Sequence, residues 1–213
     1  GNYVHACYTD IAALYFKRDL DTNSFPYQSA TNSFEYPPII GLGNWLISFL
    51  NLGNNSINLF FDINAFLIII FFIISAFLVR KINPRYFYLY PLAPAVGASL
   101  FINWDLWVVF SMILAIYYYD KKKFETSGVW LGIAIATKFF PIVFLLPIAI
   151  IFYRNRQVFE FIRYTLNTLL IYLAFNLPIA IFYFDGWWRF FKLNIERGAE
   201  FGSIWYGLSL LGI

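Results

Sequence analysis

The sequence predicts an all-α polytopic membrane protein, and three observations carry that prediction. Of 213 residues, 61% are hydrophobic and only 13% charged. Mean hydropathy is +0.64. The apolar residues gather in runs of helical length, several of them closed by Lys and Arg. Soluble domains carry about a quarter charged residues, so this chain lacks the polar surface to face water on all sides. In a bilayer each span takes about 20 apolar residues, which leaves room for roughly five. Met112 is the only methionine and the last apolar run, 204–213, is cut short, so the chain is expected to be a piece of a longer multispanning protein.

Residues 1–36 read as a polar and aromatic loop, with Asp10, Lys17, Arg18, Asp19, Asp21 and Glu35, followed by a short apolar segment at 37–52, the two making up a first unit at 1–56. That segment holds Gly41, Gly43 and Asn44 and is either a short span or an interfacial helix. Residues 57–184 form the transmembrane core. Ile57 to Val79, ending at Arg80 and Lys81, is its clearest span. Tyr86 to Ile102 contains Pro91, Pro94 and Gly97, so an irregular helix is expected there, covered by neighbours. Trp104 to Tyr119 is the next helix and stops at the run Asp120 to Lys123. Residues 127–153 carry Lys138 and Pro141 at their middle and are closed by Arg154 and Arg156, which favours two half-length helices in a broken hairpin. Gln157 to Phe184 follows, with Pro178 near its far end. Residues 185–203 read as a second polar loop, and 204–213 as the start of a further helix.

Charge placement sets the expected topology. Arg80, Lys81, Arg85, Lys121, Lys122, Lys123, Arg154, Arg156 and Arg163 fall between apolar runs with only Asp120, Glu125 and Glu160 beside them. The positive-inside rule makes that side cytoplasmic. Asp10, Glu35, Asn103, Asp105, Lys138, Arg189, Lys192, Glu196, Arg197 and Glu200 then all fall on the outer face, where they can converge on one site.

Lys138 is the most informative charge. A lysine at mid-segment costs about 2.5–3.5 kcal/mol on insertion scales, so it either snorkels or faces a wet cavity and a fixed anion such as a phosphate. A carboxylate at the outer end of an apolar segment, as at Asp10 and Asp105, is either a cap or a base. Asp62, five residues into its span, is a candidate partner for Lys138 or for another buried donor. Arg189, Lys192 and Arg197 either contact headgroups or form a cationic loop over a site. Trp187, Trp188 and Trp205 read as interfacial anchors, with sugar stacking the sharper alternative. Cys7 has no second cysteine to pair with, His5 has no ligand partner at metal spacing, and no P-loop, nucleophile elbow or dinucleotide fingerprint is present. Asn54-Asn55-Ser56 matches a glycosylation sequon, a weak signal.

Several runs resemble a known family in their order. They are Tyr8-Thr9-Asp10 through Tyr15, Phe25-Pro26-Tyr27, Phe34-Glu35-Tyr36-Pro37, Ile102-Asn103-Trp104-Asp105-Leu106, Gly132 through Thr137-Lys138 to Pro141, Asn176-Leu177-Pro178, and Gly186-Trp187 through Glu196-Arg197-Gly198 to Trp205. Together they resemble the polyprenyl-phosphate-mannose-dependent mannosyltransferases, glycosyltransferase family 87 of the GT-C class. The resemblance implies a GT-C-like helical bundle whose outer-face loop carries the active site. It implies inverting transfer of a hexose, usually mannose, from a polyprenyl-phosphate sugar to a hydroxyl on a glycan or glycolipid. By the same resemblance Asp10 is the general base, Lys138 and Arg197 face the departing phosphate, and Glu35, Asn103, Asp105 and Glu200 contact sugar or acceptor. No cofactor beyond the donor lipid and no nucleic-acid partner is implied. The location expected is multi-pass, in the plasma membrane of a prokaryote. The competing readings are a transporter or lipid-handling protein binding an anion near Lys138, and an inactive membrane scaffold.

Overall fold

The computed structural model describes residues 8–50, 56–198 and 204–212. His5, Cys7, Glu200 and the asparagines of the sequon lie outside them. Among the described residues there are eleven α-helices, one 3-10 segment and no strand. In chain order they are α1 (Asp10–Lys17), α2 (Pro38–Ser48), α3 (Ser56–Ile82), α4 (Leu89–Leu92), α5 (Pro94–Ser99), α6 (Asp105–Asp120), α7 (Phe124–Thr137), the 3-10 segment Phe140–Phe144, α8 (Leu145–Arg154), α9 (Val158–Phe182), α10 (Phe184–Glu196) and α11 (Ile204–Leu210).

Among the described residues two helices, α3 and α9, are long and apolar enough to cross a membrane. This is fewer than the five or so that the composition suggests. At 1.5 Å per residue α6 and α7 rise only about 24 and 21 Å, because α6 starts only at Asp105, the Lys121–Lys123 turn separates the two, and the break at Lys138 ends α7. Both long helices keep large apolar side chains on their outsides, among them Phe66, Phe77, Leu170 and Ile181. Such surfaces suit lipid and not water.

Contacts between the helices give their relative directions. The Trp104 indole donates to Asn64 Oδ1 at 2.7 Å, and the Phe71 ring stacks on Phe110 at 4.6 Å, so α3 and α6 run the same way. α6 and α7 are joined by a tight turn in which Lys122 takes a left-handed conformation, φ 56°, and they run oppositely. α7 lies along α9 at very close range. A Cβ at Gly132 would sit 2.6 Å from the Thr168 carbonyl, and one at Gly128 would strike that of Tyr164. These small residues let the two backbones approach.

The break in the 127–153 segment falls at Lys138, whose backbone is extended (φ −153°, ψ 131°). Phe152 near the end of α8 packs its ring 4.9 Å from that of Phe124 at the start of α7. The chain therefore returns to the end it left, with Lys138 at the far apex. As a result the carboxyl ends of α3, α6 and α8 and the amino ends of α7 and α9 share one end of the bundle. That end carries Arg80, Lys81, Lys121–Lys123, Arg154 and Arg163, the last 3.7 Å from Glu125.

Two stretches read as loops are ordered by packing instead. Residues 10–17 form α1, with Thr9 accepting from the Ile11 N–H as cap, and Ile11, Leu14, Tyr15, Leu20, Tyr27 and Phe34 are buried together under the polar surface. Within 185–203, residues 184–196 form α10. Its Gly186 is a contact point and not a loop opener: a Cβ there would collide with the Tyr27 carbonyl and Ser33.

Candidate active site

Opposite the basic end, the first segment, the start of α6, the hairpin apex and α10 enclose an open cavity of about 540 Å³. Asp10, Glu35, Asn103, Lys138 and Arg197 line it. The sequence-derived candidates from four distant stretches of chain are thus brought together. Asp105 stands behind Lys138, and Glu200 lies outside the described residues.

Asp10 begins α1, and its position is set by the connection before α6. Its backbone N–H donates to the Ile102 carbonyl at 2.7 Å, and the Thr9 hydroxyl donates to that of Phe101 at 2.7 Å. Two phenols hold the carboxylate: Tyr8 donates to Oδ1, and Tyr36 to Oδ2 at 2.8 Å. Each carboxylate oxygen has two lone pairs, so both keep an accepting position after these bonds. Burial, and then the Asp10 charge, push the Tyr36 hydroxyl well above its ordinary value. The Tyr8 hydroxyl is pushed up to about 12, first by its hydrogen bond to Asp10 and then by burial. Both phenols therefore remain donors at any ordinary pH. Neither was singled out from sequence, although both lie in the runs that carry the family resemblance.

Tyr36 in turn is braced by the membrane core. Its ring meets Trp104 edge-on at 5.4 Å, Trp104 is fully buried, and the indole N–H is fixed to Asn64 of α3. The Tyr27 hydroxyl donates to the Tyr36 carbonyl at 2.8 Å. Asp10 is thereby tied to the helix bundle through side chains whose rotamers are locked by packing.

Glu35 accepts from Arg18 at 2.6 Å, and Arg18 also donates to Asn32 at 3.0 Å. Lys138 is ion-paired with Asp105. The proposed pairing with Asp62 does not occur; Asp62 is exposed on α3, and the partner of Lys138 is Asp105. Asp105 sits in the first turn of α6 with its N–H capped by Asn103 Oδ1 at 2.9 Å. Lys138 closes the carboxyl end of α7. Both charges thus complement their helix dipoles. The pair is a third to a half exposed, and exposed ion pairs are worth about 0–1 kcal/mol, so a competing anion in the cavity can draw Lys138 away from Asp105.

α10 forms the opposite wall. Phe190, Leu193, Asn194 and Glu196 face the cavity. The helix is pinned by the Trp187 indole, which donates to Asn176 of α9 at 2.9 Å, and by Arg189, which donates to the Thr31 carbonyl. Burial lowers the Arg189 guanidinium from its ordinary value, helped by the charge of Arg18. Among the described residues no group of three or more His, Cys, Asp or Glu is placed to hold a metal ion. The arrangement sets the Asp10 carboxylate, with Glu35 and Glu196, around one cavity of small-ligand size with the cations Lys138 and Arg197.

No curated protein and no solved structure matches this chain. Residues 100–195, which run from the connection before α6 into α10 and include Asn103, Asp105 and Lys138, match the family described as mannosyltransferase (PIG-M). That similarity supports a membrane mannosyltransferase.

Proposed function

We propose that the protein transfers mannose from a polyprenyl-phosphate donor to a hydroxyl of a glycan or glycolipid acceptor, with inversion, in the manner of the family-87 enzymes of the GT-C class. The observation that carries this reading is the Asp10 carboxylate, held by two phenols at a cavity that also presents Lys138 and Arg197. Asp10 accepts the proton of the acceptor hydroxyl as its oxygen bonds to the anomeric carbon. The bond from that carbon to the phosphate oxygen breaks, and the polyprenyl phosphate leaves with its charge facing Lys138 and Arg197. Asn103 and Asp105 set the level of Lys138. Glu35, stiffened by Arg18, and Glu200 contact sugar or acceptor. The clustering of Lys and Arg at one end supports a cytoplasmic side there, and with it a cavity on the outer face of a prokaryotic plasma membrane.

The test is incubation of the full-length protein in nanodiscs with radiolabelled polyprenyl-phosphate mannose and a panel of acceptors. Labelled glycan should form with the wild type and not with Asp10→Asn, which should still bind donor. Normal turnover by that variant would overturn the base assignment. Passage of intact donor across the bilayer without transfer would favour a lipid transporter instead.

A further inference from the structure

A second cavity, of about 380 Å³, lies on the adjoining face of α10, and Leu193 and Glu196 line both. We infer that it is a subsite for a second, neutral sugar unit of the acceptor, resting on the glycosyl-transfer reading above and deepening it. The remaining lining that matters is Thr31, Asp185, Trp188, Arg189 and Lys192.

Three features identify the ligand class. The first is charge balance. Asp185 and Glu196 offset Arg189 and Lys192, so the cavity has no net pull on a phosphate or an anionic headgroup, yet it is dense in planar groups that bond paired hydroxyls. Lys192 and Glu196 are 4.0 Å apart and both more than half exposed, too weak a pair to withhold either from a ligand. The second is the indole of Trp188, which is 42% exposed. An apolar ring face beside hydroxyl-bonding groups suits the two-sided character of a pyranose, whose C–H face packs on an aromatic while its hydroxyls turn to polar partners. The third is rigidity. Phe184 and Phe191 stack against Trp188 at 6.1 and 5.4 Å, with interplanar angles of 6° and 27°. α10 itself is locked by Gly186 against Tyr27 and by Arg189 on the Thr31 carbonyl. A preformed site spends little binding energy on ordering itself.

The shared wall gives the geometry. An acceptor whose terminal sugar offers its hydroxyl to Asp10 passes its next unit over Leu193 and Glu196 into the second cavity. Acceptors of two sugars should then react better than acceptors of one.

The experiment uses the full-length protein in nanodiscs with labelled polyprenyl-phosphate mannose, and octyl hexosides of gluco, galacto and manno configuration beside the corresponding dihexosides. The expected result is at least a tenfold higher kcat/KM for a dihexoside, with Trp188→Ala erasing that preference through KM and Trp188→Tyr restoring most of it. Equal use of single and double sugars, or a preference that survives Trp188→Ala, overturns the subsite. Saturation-transfer NMR of the same dihexosides on donor-free protein separates the two readings. Binding lost in Trp188→Ala without any transfer upholds the subsite and removes the enzyme reading. If the only effect of Trp188→Ala is weaker retention in anionic-lipid nanodiscs, the indole is a membrane anchor and the subsite is wrong.

Discussion

The Tyr36 hydroxyl donates to the Asp10 carboxylate at 2.8 Å while its ring rests on the buried Trp104. Removing that hydroxyl leaves the carboxylate one donor short but does not open the core, since the ring remains. A hydrogen bond to a charged group is worth about 1.5–3 kcal/mol, so Tyr36→Phe should lower kcat roughly tenfold to a hundredfold. Steady-state kinetics and a thermal unfolding scan in detergent check this together. A drop in activity that tracks a drop in unfolding temperature would assign Tyr36 to packing alone.

The Tyr8 hydroxyl, pushed up to about 12, should titrate late. The difference in ultraviolet absorbance between wild type and Tyr8→Phe should show no tyrosinate step at pH 10 and one near pH 12. Asp10→Asn should return the step toward pH 10. The sign for stability follows: the folded state holds this proton more tightly than the unfolded state, so the contribution is intact below pH 10 and is lost as pH rises toward 12.

Lys138→Ala should raise the KM or Kd for a polyprenyl-phosphate donor about tenfold or more while changing kcat less, because the cation meets the phosphate in both ground and transition states. Lys138→Arg should keep most of the affinity. Donor affinity unchanged in the alanine variant, measured by donor titration at constant ionic strength, would remove Lys138 from the phosphate site.

Gly132→Leu should be strongly destabilising, since even a Cβ meets the Thr168 carbonyl at 2.6 Å. Overpacking costs about 1–3 kcal/mol, and here the obstacle is backbone that cannot rotate aside. Gly97→Ala, with no neighbour within 4 Å, is the matched control. Size-exclusion profiles and melting curves of the two variants in one detergent give the comparison.

What was legible in the sequence came from charge and proline in apolar surroundings. A lysine and Pro141 inside a long apolar run announce a helix break, and the structure breaks at Lys138. The basic clusters, which polar loops alone would not require, gather where three helices end and two begin, at one end of the bundle. Illegible were the features that depend on register. Lys138 pairs with Asp105 and not Asp62 because the turn at Lys121–Lys123 brings the apex of α7 back to the start of α6, a relation 33 residues apart in the chain. α10 was hidden because Gly186 resembles a loop signal, although Phe184, Trp187 and Phe191 repeat at helical spacing. The two phenols on Asp10 are 2 and 26 residues away, and no local pattern announces the second.

The hairpin apex also bears on how the chain is built. Its two ends share the basic end of the bundle, so in the proposed topology the charge that insertion of 124–154 would carry across is that of Lys138. Asp105, at the start of α6, precedes it in the chain and is synthesised first. In the proposed topology the nascent lysine would arrive where a counter-charge is waiting, and a residue that the finished cavity can later release would meet the cost of delivering it.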